Sequence, residues 1–321
     1  MQILNEYMEK AKVNPPRKMH KDVRVIYTEG KGSCEKITNA IIQEAEKDNE
    51  PFYLIISAGG DGTHSEIMLA LYNASAHVRS NIAILRLPMG TGNDGADSAD
   101  LAGALDLLIN PVCLEFAPAV QLTVSSVVSA VEKKLYLAFN ILSMGLDAYV
   151  TFMTNKMKGK FPGDSYKLWI DIAALFYDKI YKVGFMNVRA LDAQNNEILS
   201  FREKMLLLAM GASGYRSYGS QQKILPDERN VCCLKQTPLY RKLILKKQLK
   251  NGLHINNPEI TIFNAHRLEL SACHPILAQM DGEAILLQPK DFPVAMELTA
   301  PVIPLLKLLP QNSPKAVARG Q

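Results

Sequence analysis

Cysteine is scarce in this sequence, and its placement argues against two classes of protein. The five cysteines are odd in number and show no C-x-x-C spacing, which disfavours both a disulfide framework and a zinc site. The first residues, MQILNEYMEKAKVNPPRK, are too polar for a signal peptide, and no apolar run approaches the length of a membrane span. We therefore expect a cytoplasmic protein with reduced thiols and no transmembrane segment.

The sequence also lacks a large net charge. The formal net charge of +4 is too small to indicate a nucleic-acid-binding protein, although it is compatible with anionic substrates or an anionic membrane surface. The hydrophobic content of 48% is that of a folded globular protein. A chain of 321 residues is long for a single core, so we expect two domains.

The N-terminal part alternates short apolar runs with helical patterns. Residues 54–56 and 81–87 read as strands buried on both faces, and each is followed by a glycine-rich turn and a helical pattern. A further strand is predicted at residues 23–27, with Thr28 in the turn after it, where its hydroxyl either reaches a phosphate or caps the following helix. This alternation predicts a parallel α/β sheet whose ligands bind beyond the carboxyl ends of the strands.

After Pro111 the sequence becomes rich in β-branched and alternating apolar residues, which predicts a sandwich or a curled antiparallel sheet. We assign residues 1–115 to the α/β domain and residues 116–290 to the β-rich domain. Residues 291–321 form a C-terminal segment that can return to the first domain, with a disordered tail. Residues 238–249 read as a basic helix. The cations of the basic run in and just after it either meet anionic headgroups or lie on a solvated face; they are Arg241, Lys242, Lys246, Lys247 and Lys250.

The turn after the strand at residues 54–56 has the composition of an anion site. It reads Gly59-Gly60-Asp61-Gly62-Thr63, and glycines next to a helix N-terminus leave bare N–H groups for a phosphate. Asp61 would repel a phosphate alone, so its presence suggests a metal ion or a proton that accompanies the phosphate. The alternative is an ordinary turn in which the aspartate caps the following helix.

The second glycine turn, Gly90-Thr91-Gly92-Asn93-Asp94-Gly95, literally satisfies the dinucleotide pattern G-x-G-x-x-G. That pattern normally occupies the first strand-to-helix turn, whereas here it follows a later strand and Pro88, so we discount a dinucleotide site.

Together the two turns resemble the catalytic domain of the diacylglycerol kinase and sphingosine kinase family, including its bacterial lipid kinases. In that family GGDGT-x-x-E is followed by P-x-GTGND-x-A, and here Gly59 to Glu66 and Pro88 to Ala96 match. Further matches are Asn140 ahead of Gly145-Leu146-Asp147-Ala148, then Pro226-Asp227, and Asp281-Gly282-Glu283. The resemblance covers residues 23–290.

The resemblance implies a nucleotide-binding α/β domain, a β-sandwich domain that accepts the lipid, and an active-site cleft between them. It implies ATP and Mg²⁺, and a lipid hydroxyl as the acceptor at a membrane that the protein visits transiently. Asp281 or Glu283 would deprotonate that hydroxyl, with the family pattern favouring Glu283, and Asp61 and Asp94 would organise the metal. The implied nucleotide-binding residues are Thr28, Gly59, Gly60, Asp61, Gly62, Thr63, Glu66, Gly90, Thr91, Gly92 and Asn93.

Two departures from the family keep alternatives open. No strand ending in N-P-x-S-G precedes residue 23, so the first strand is shortened or lost, which favours a catalytically impaired homologue that binds nucleotide or lipid. Cys232-Cys233 stands where many bacterial members have Asp-Gly, which puts a structural metal of the relatives in doubt. NAD kinase, which shares the GGDG turn but lacks GTGND, is the nearest rival. For Asp281-Gly282-Glu283 alone, a plain hairpin turn is the competing interpretation.

Overall fold

The computed structural model describes residues 23–47, 52–90, 93–98, 100–110, 112–125, 133–157, 176–181, 183–218 and 222–308. The chain divides into two compact units. The first takes in the described residues up to Ala117 together with those from Pro301 onward, and the second runs from Pro118 to Ala300.

The first unit is built on a four-stranded sheet. Its strands are β1 (Tyr53–Gly59), β2 (Ile82–Pro88), β3 (Val112–Ala117) and β17 (Ile303–Leu308), in the spatial order β1-β2-β17-β3. β1, β2 and β17 run parallel, and β3 is antiparallel to β17. In the register of the first pair, Gly59 lies beside Pro88, so both glycine turns begin at the same edge of the sheet.

Within the described residues of the first unit, four helices accompany this sheet. They are α1 (Ser33–Lys47), α2 (Asp61–Asn73), α3 (Ala76–Ser80) and α4 (Leu101–Asp106). β2 is buried along Ile82–Leu87 because both of its faces are covered, as its largely apolar sequence predicts. On one face, Leu85 packs with Leu105 and Leu306 in a shared core.

The predicted strand at residues 23–27 is wrong. These residues have no regular secondary structure, and none of the described strands pairs with them. Val23, Val25, Ile26 and Tyr27 are between 50% and 79% exposed. A β-branched run becomes a strand only where a neighbour satisfies its backbone groups, and this run has no such neighbour in the described sheet.

The second unit is an antiparallel β structure. Its principal sheet has eleven strands, and β9 and β10 form a separate pair. The strands are β4 (Val120–Ser125), β5 (Lys133–Ala138), β6 (Ile141–Gly145), β7 (Phe185–Leu191), β8 (Glu197–Gly211), β9 (Arg216–Tyr218), β10 (Gln222–Leu225), β11 (Val231–Lys235), β12 (Ile260–Phe263), β13 (Arg267–Ala272), β14 (Ile276–Met280), β15 (Glu283–Leu287) and β16 (Val294–Leu298).

The long strand β8 joins two halves of this sheet. Its first part pairs with β7 and alternates between exposed and half-buried residues, whereas its second part pairs with β6 and β11 and is buried throughout. Side chains of both halves meet in one core, where Val188 and Leu268 join Leu142 and Leu208. The sheet therefore closes over itself as a sandwich, and the predicted fold class, a parallel α/β unit followed by an antiparallel β unit, is confirmed.

Helices cover the other face of the second half of the sheet. They are α5 (Leu146–Met157), α6 (Tyr177–Ile180) and α7 (Leu239–Asn251), with 3₁₀ turns at Leu253–Asn256 and Pro289–Asp291. Tyr149 of α5 and Leu245 of α7 lie in a second core with Leu206 and Leu207 of β8. Contacts on both faces explain why that part of β8 has no polar alternation.

Candidate active site

The first glycine turn connects β1 to α2 with almost no intervening residues. Gly59 ends the strand, Gly60 is the N-cap, and Asp61 is the first helical residue. A Cβ on Gly59 would lie 2.6 Å from Cβ of Thr63, so only glycine allows the helix to start this close to the strand. The N-terminus of α2 thus stands directly beyond β1, as the sequence predicts.

The two glycine turns touch through their backbones. A Cβ on Gly90 would lie 2.4 Å from Cα of Gly60, and one on Gly60 would lie 3.2 Å from Cα of Gly90. The backbone N–H of Met89 also donates to the carbonyl of Gly59, at 3.2 Å. Two glycines at this contact bring the turns together with no side chain between them.

Two side chains fasten the second turn. The backbone N–H of Gly90 donates to Oδ1 of Asn93 at 2.5 Å, and Asn93 itself has a positive φ of 56°, a conformation that asparagine tolerates better than most residues. The N–H of Gly95 donates to Oδ1 of Asp61 at 2.9 Å. Asp61 therefore bonds to the second turn, and the alternative that it merely caps its own helix is wrong. Thr91 and Gly92 lie outside the described residues.

A buried ion pair connects the end of the second glycine turn to β2. Nη2 of Arg86 on β2 lies 2.6 Å from Oδ1 of Asp97, and both side chains are almost wholly buried. The backbone N–H of Arg86 donates to the same carboxylate at 2.7 Å. Burial of Asp97 opposes its ionisation, but the Arg86 charge and these hydrogen bonds together leave the pKa of the carboxyl below its usual value. The pair ties the end of the turn back to β2.

His64 is buried beneath the first turn and takes no part in the sequence-predicted site. Its Nδ1 lies 2.8 Å from Oγ of Ser57 on β1. Burial, followed by the nearby Arg86 charge, lowers its pKa to about 4. The ring is therefore neutral at physiological pH, and it joins α2 to β1 as a packed, hydrogen-bonded side chain.

Glu66 is bonded to the start of α1. Its two carboxylate oxygens accept from the backbone N–H groups of Gly32, at 2.7 Å, and Cys34, at 3.2 Å. A carboxylate here satisfies free amides at a helix N-terminus, so Glu66 occupies that anion position itself. Thr28 is exposed in the stretch without regular structure, and α1 begins only at Ser33.

The residues predicted to hold a metal are Asp61 and Asp94. Both are half-buried, and among the described residues no group of three or more histidine, cysteine or acidic side chains forms a metal cluster. Two hard carboxylates nevertheless fit Mg²⁺, which usually takes one or two carboxylates from the protein and the rest of its ligands from phosphates and water. The Asp61 carboxylate is already oriented by its bond to Gly95.

In the second unit, Asp281-Gly282-Glu283 forms a tight hairpin between β14 and β15. Met280 pairs with Glu283, and Asp281 and Gly282 both have positive φ, 46° and 100°, as a type I′ turn requires. The Asp281 carboxylate is buried and accepts hydrogen bonds from the consecutive backbone amides of residues 139–141. Glu283 is exposed at the start of β15. The geometry thus gives the two acids different surroundings.

A buried polar network lies under this hairpin. Oε1 of Gln279 accepts from the N–H of Gly282 at 3.1 Å, and its Nε2 donates to Oγ of Ser143 at 2.9 Å and to Oδ2 of Asp147 at 3.3 Å. Oγ of Ser143 donates to the same Asp147 oxygen at 2.5 Å. Burial raises the pKa of Asp147 to about 6. The network connects the hairpin to the start of α5.

Sequence reasoning missed three parts of these arrangements, namely the Arg86–Asp97 pair, the Gly95 amide and Gln279. A signal existed for the first, since Arg86 interrupts an otherwise apolar strand and a charge so placed needs a partner. No signal existed for the other two, because a backbone amide and a glutamine in an apolar strand carry no motif.

Comparisons with known proteins support the family resemblance that the two glycine motifs indicate. The family model of the diacylglycerol kinase catalytic domain matches residues 5–122. A protein named "Probable lipid kinase YegS-like" from Pseudomonas fluorescens is 28% identical over 298 residues, covering 88% of this chain and 86% of that protein. A protein of the same name from Yersinia enterocolitica is 26% identical over 240 residues, covering 72% of each chain.

Solved structures show the same fold. A diacylglycerol kinase from Bacillus anthracis str. Sterne superposes with a TM-score of 0.54 at 14% identity, covering 94% of this chain and 90% of that chain. The glycine turns, the two-unit architecture and these similarities agree with one another. The chain is therefore similar to the diacylglycerol kinase and lipid kinase catalytic-domain family, and its residues 5–122 match the model of that catalytic domain.

Proposed function

We propose that this protein transfers the γ-phosphoryl group of ATP to the hydroxyl of a lipid of the diacylglycerol or sphingosine type. The similarity to lipid-kinase-like proteins and the match to a diacylglycerol kinase catalytic domain support a phosphotransferase. The observation that carries the proposal is the joining of two glycine turns at the ends of adjacent parallel strands, through the Gly60–Gly90 contact and the Asp61–Gly95 hydrogen bond.

That joined pair of turns suits a polyphosphate. Ligands of parallel sheets bind beyond the carboxyl ends of the strands, and the N-terminus of α2 favours negative charge there. We assign the phosphates to the backbone around Gly59, Gly60, Gly62 and Gly90, with Thr63, Thr91, Gly92 and Asn93 as further contacts. We assign Thr28 to the nucleotide as well and withdraw Glu66, because its carboxylate is already bonded to Gly32 and Cys34.

Asp61 and Asp94 are assigned to hold Mg²⁺. The ion would neutralise phosphate charge as it develops on the transferred group and the leaving ADP. The chain's own contribution is to fix the direction of the Asp61 carboxylate through Gly95 and to hold the second turn in place through Asn93 and the Arg86–Asp97 pair.

Glu283 is assigned as the base. In the transfer, the bond between the γ-phosphorus and the bridging oxygen of ADP breaks, a bond to the lipid oxygen forms, and the hydroxyl proton passes to the carboxylate. Glu283 suits this role because it is exposed. Asp281 suits a positioning role instead, since its carboxylate is buried against the amides of residues 139–141.

We propose further that the protein works in the cytoplasm, on a lipid presented at a membrane surface that it visits transiently. All five cysteines are free thiols, which accords with a reducing compartment. Within the part of the chain that the structure describes, no helix combines the length and apolar character needed to span a bilayer.

Incubation with γ-labelled ATP, Mg²⁺ and a mixed lipid extract tests this function. We expect label in one lipid product, a loss of about 100-fold or more in Asp61→Asn and Glu283→Gln, and wild-type rates in Glu46→Gln, an exposed acid of α1 that serves as the control. ATP binding without transfer to any lipid would favour the impaired homologue, and label in NAD would favour an NAD kinase. Either result would overturn the proposal.

A further inference from the structure

Helix α7 carries an unusual charge. Its sequence, LYRKLILKKQLKN, contains five basic residues and no acidic one. Arg241 pairs with Glu259, and Nζ of Lys242 lies 2.6 Å from Oδ1 of Asp178. The expectation that all five cations face headgroups or solvent is therefore wrong for Lys242, which is buried. Lys246, Lys247 and Lys250 are exposed.

In α7, apolar side chains are exposed to solvent while a lysine is buried, which is the reverse of an ordinary surface helix. Leu243 and Ile244 are 53% and 54% exposed, whereas Lys242, next to them in sequence, is 6% exposed. Tyr240 is 59% exposed. In a helix that only covers a sheet, the leucines face the sheet and the lysines face solvent. Here Leu245 alone is anchored in the core while its apolar neighbours face outward.

The turn after α7 adds to this apolar surface. Gly252 ends the helix in the left-handed conformation, with φ of 72°, which only glycine adopts without strain. The chain then reverses, and Leu253, 60% exposed, returns beside the helix. Leu243, Ile244 and Leu253 line one groove together with Lys247. We call Tyr240, Leu243, Ile244 and Leu253, with Lys246, Lys247 and Lys250, the α7 surface.

We infer that the α7 surface docks on an anionic lipid bilayer, with its apolar side chains among the acyl chains and its lysines at the headgroups. Exposed apolar side chains beside several cations are the composition of helices that lie in a membrane interface. The choice of a bilayer rests on the proposed lipid kinase function, which requires the protein to reach its acceptor.

Charge argues against a second copy of the chain as the occupant. In a symmetric dimer the same patch of both subunits would meet, which would bring the lysines of α7 against those of the other copy. Like charges so placed oppose association. An anionic lipid surface neutralises them instead.

Co-sedimentation of the full chain with vesicles, without nucleotide, tests this surface separately from catalysis. We expect binding to phosphatidylcholine vesicles containing 30% phosphatidylserine, a composition of about the anionic content of a cytoplasmic leaflet, and little binding to pure phosphatidylcholine. Leu243→Ser/Ile244→Ser and Lys247→Glu/Lys250→Glu should each lower the partition coefficient about tenfold or more. Lys36→Glu/Lys47→Glu, which reverses two exposed lysines of α1, should retain most of the binding.

Circular dichroism and thermal unfolding of each variant test whether weaker vesicle binding comes from loss of fold. Equal binding by both α7 variants and the wild type would overturn the inference. So would binding that does not depend on phosphatidylserine, or concentration-dependent self-association in buffer that Leu243→Ser/Ile244→Ser abolishes. Failure of lipid phosphorylation with vesicle binding intact would overturn the proposed function instead.

Discussion

Substitution of Gly90 by alanine tests the contact between the two glycine turns. The new Cβ would lie 2.4 Å from Cα of Gly60, and an ordinary contact begins at 3.4 Å, so the two backbones must separate by about 1 Å. The Asp61–Gly95 hydrogen bond of 2.9 Å would not survive such a shift. A displacement of about 1 Å at a phosphoryl-transfer site costs about 100-fold in rate.

Glu46→Gln, which alters an exposed acid of α1 outside both turns, is the control. Steady-state lipid phosphorylation, with thermal unfolding measured in parallel, separates a loss of rate from a loss of fold. We expect Gly90→Ala to lose about 100-fold in kcat/KM while remaining folded, at a cost of about 1 to 3 kcal/mol.

Equal kcat/KM in folded Gly90→Ala and in Glu46→Gln would refute the reasoning, since the turns would then not need to touch. Should Gly90→Ala fail to fold, Asn93→Ala removes the side chain that accepts from the Gly90 amide without adding a Cβ at the contact. It should show the same loss of kcat/KM, and a wild-type value would refute the reasoning equally.

Three further predictions concern buried charges. Arg86→Met removes the closer of two cations beside the buried Asp97 carboxylate and leaves Lys307, whose Nζ lies 3.5 Å from its Oδ1, so urea unfolding should show a loss of about 3 kcal/mol, and an unchanged stability would contradict the role given to the pair. The pKa of Asp147 is raised to about 6 in the folded protein, so between pH 4 and 6 the folded state binds a proton that the unfolded state does not hold. The resulting contribution to stability, about 3 kcal/mol at most, is present at pH 4 and lost as pH rises through 6. The unfolding free energy of the wild type minus that of Asp147→Asn should therefore fall over that range, and a constant difference would contradict this prediction. Asp281→Ala leaves the amides of residues 139–141 without their acceptor and should destabilise the protein by about 2 kcal/mol or more, measured by thermal unfolding; a loss of activity at wild-type stability would instead make Asp281 a catalytic residue.

The sequence predicted the elements that depend on local pattern. β2 could be recognised because a parallel strand covered on both faces is apolar along most of its length, with Arg86 as the exception here. The glycine turn could be recognised because only glycine lets α2 start directly after β1 with Thr63 packed against Gly59. In both cases the constraint acts on residues that are neighbours in sequence.

The features that sequence reasoning did not predict depend on partners far along the chain. The run at residues 23–27 has strand-forming residues but no described strand beside it. The oxygens of Glu66 bond to amides at Gly32 and Cys34, and no pattern around Glu66 shows that α1 begins beside it.

Only part of the arrangement of helix α7 could be predicted from the sequence. Its existence could be predicted from its composition, and the structure has it at Leu239–Asn251. Its orientation could not, because the pairing of Lys242 with Asp178 decides which side faces the core. A buried ion pair on a helix of lysines and leucines reverses the pattern that hydrophobicity alone predicts.

The central claim is that the joined glycine turns hold ATP so that its terminal phosphate reaches a lipid hydroxyl. The most direct measurement compares γ-labelled with α-labelled ATP and follows the radioactivity extracted into the organic phase with the lipids. We expect label in a lipid product from γ-labelled ATP alone, with that signal lost in Asp61→Asn. Organic-phase label from α-labelled ATP, or none from γ-labelled ATP with a full lipid extract, would contradict it.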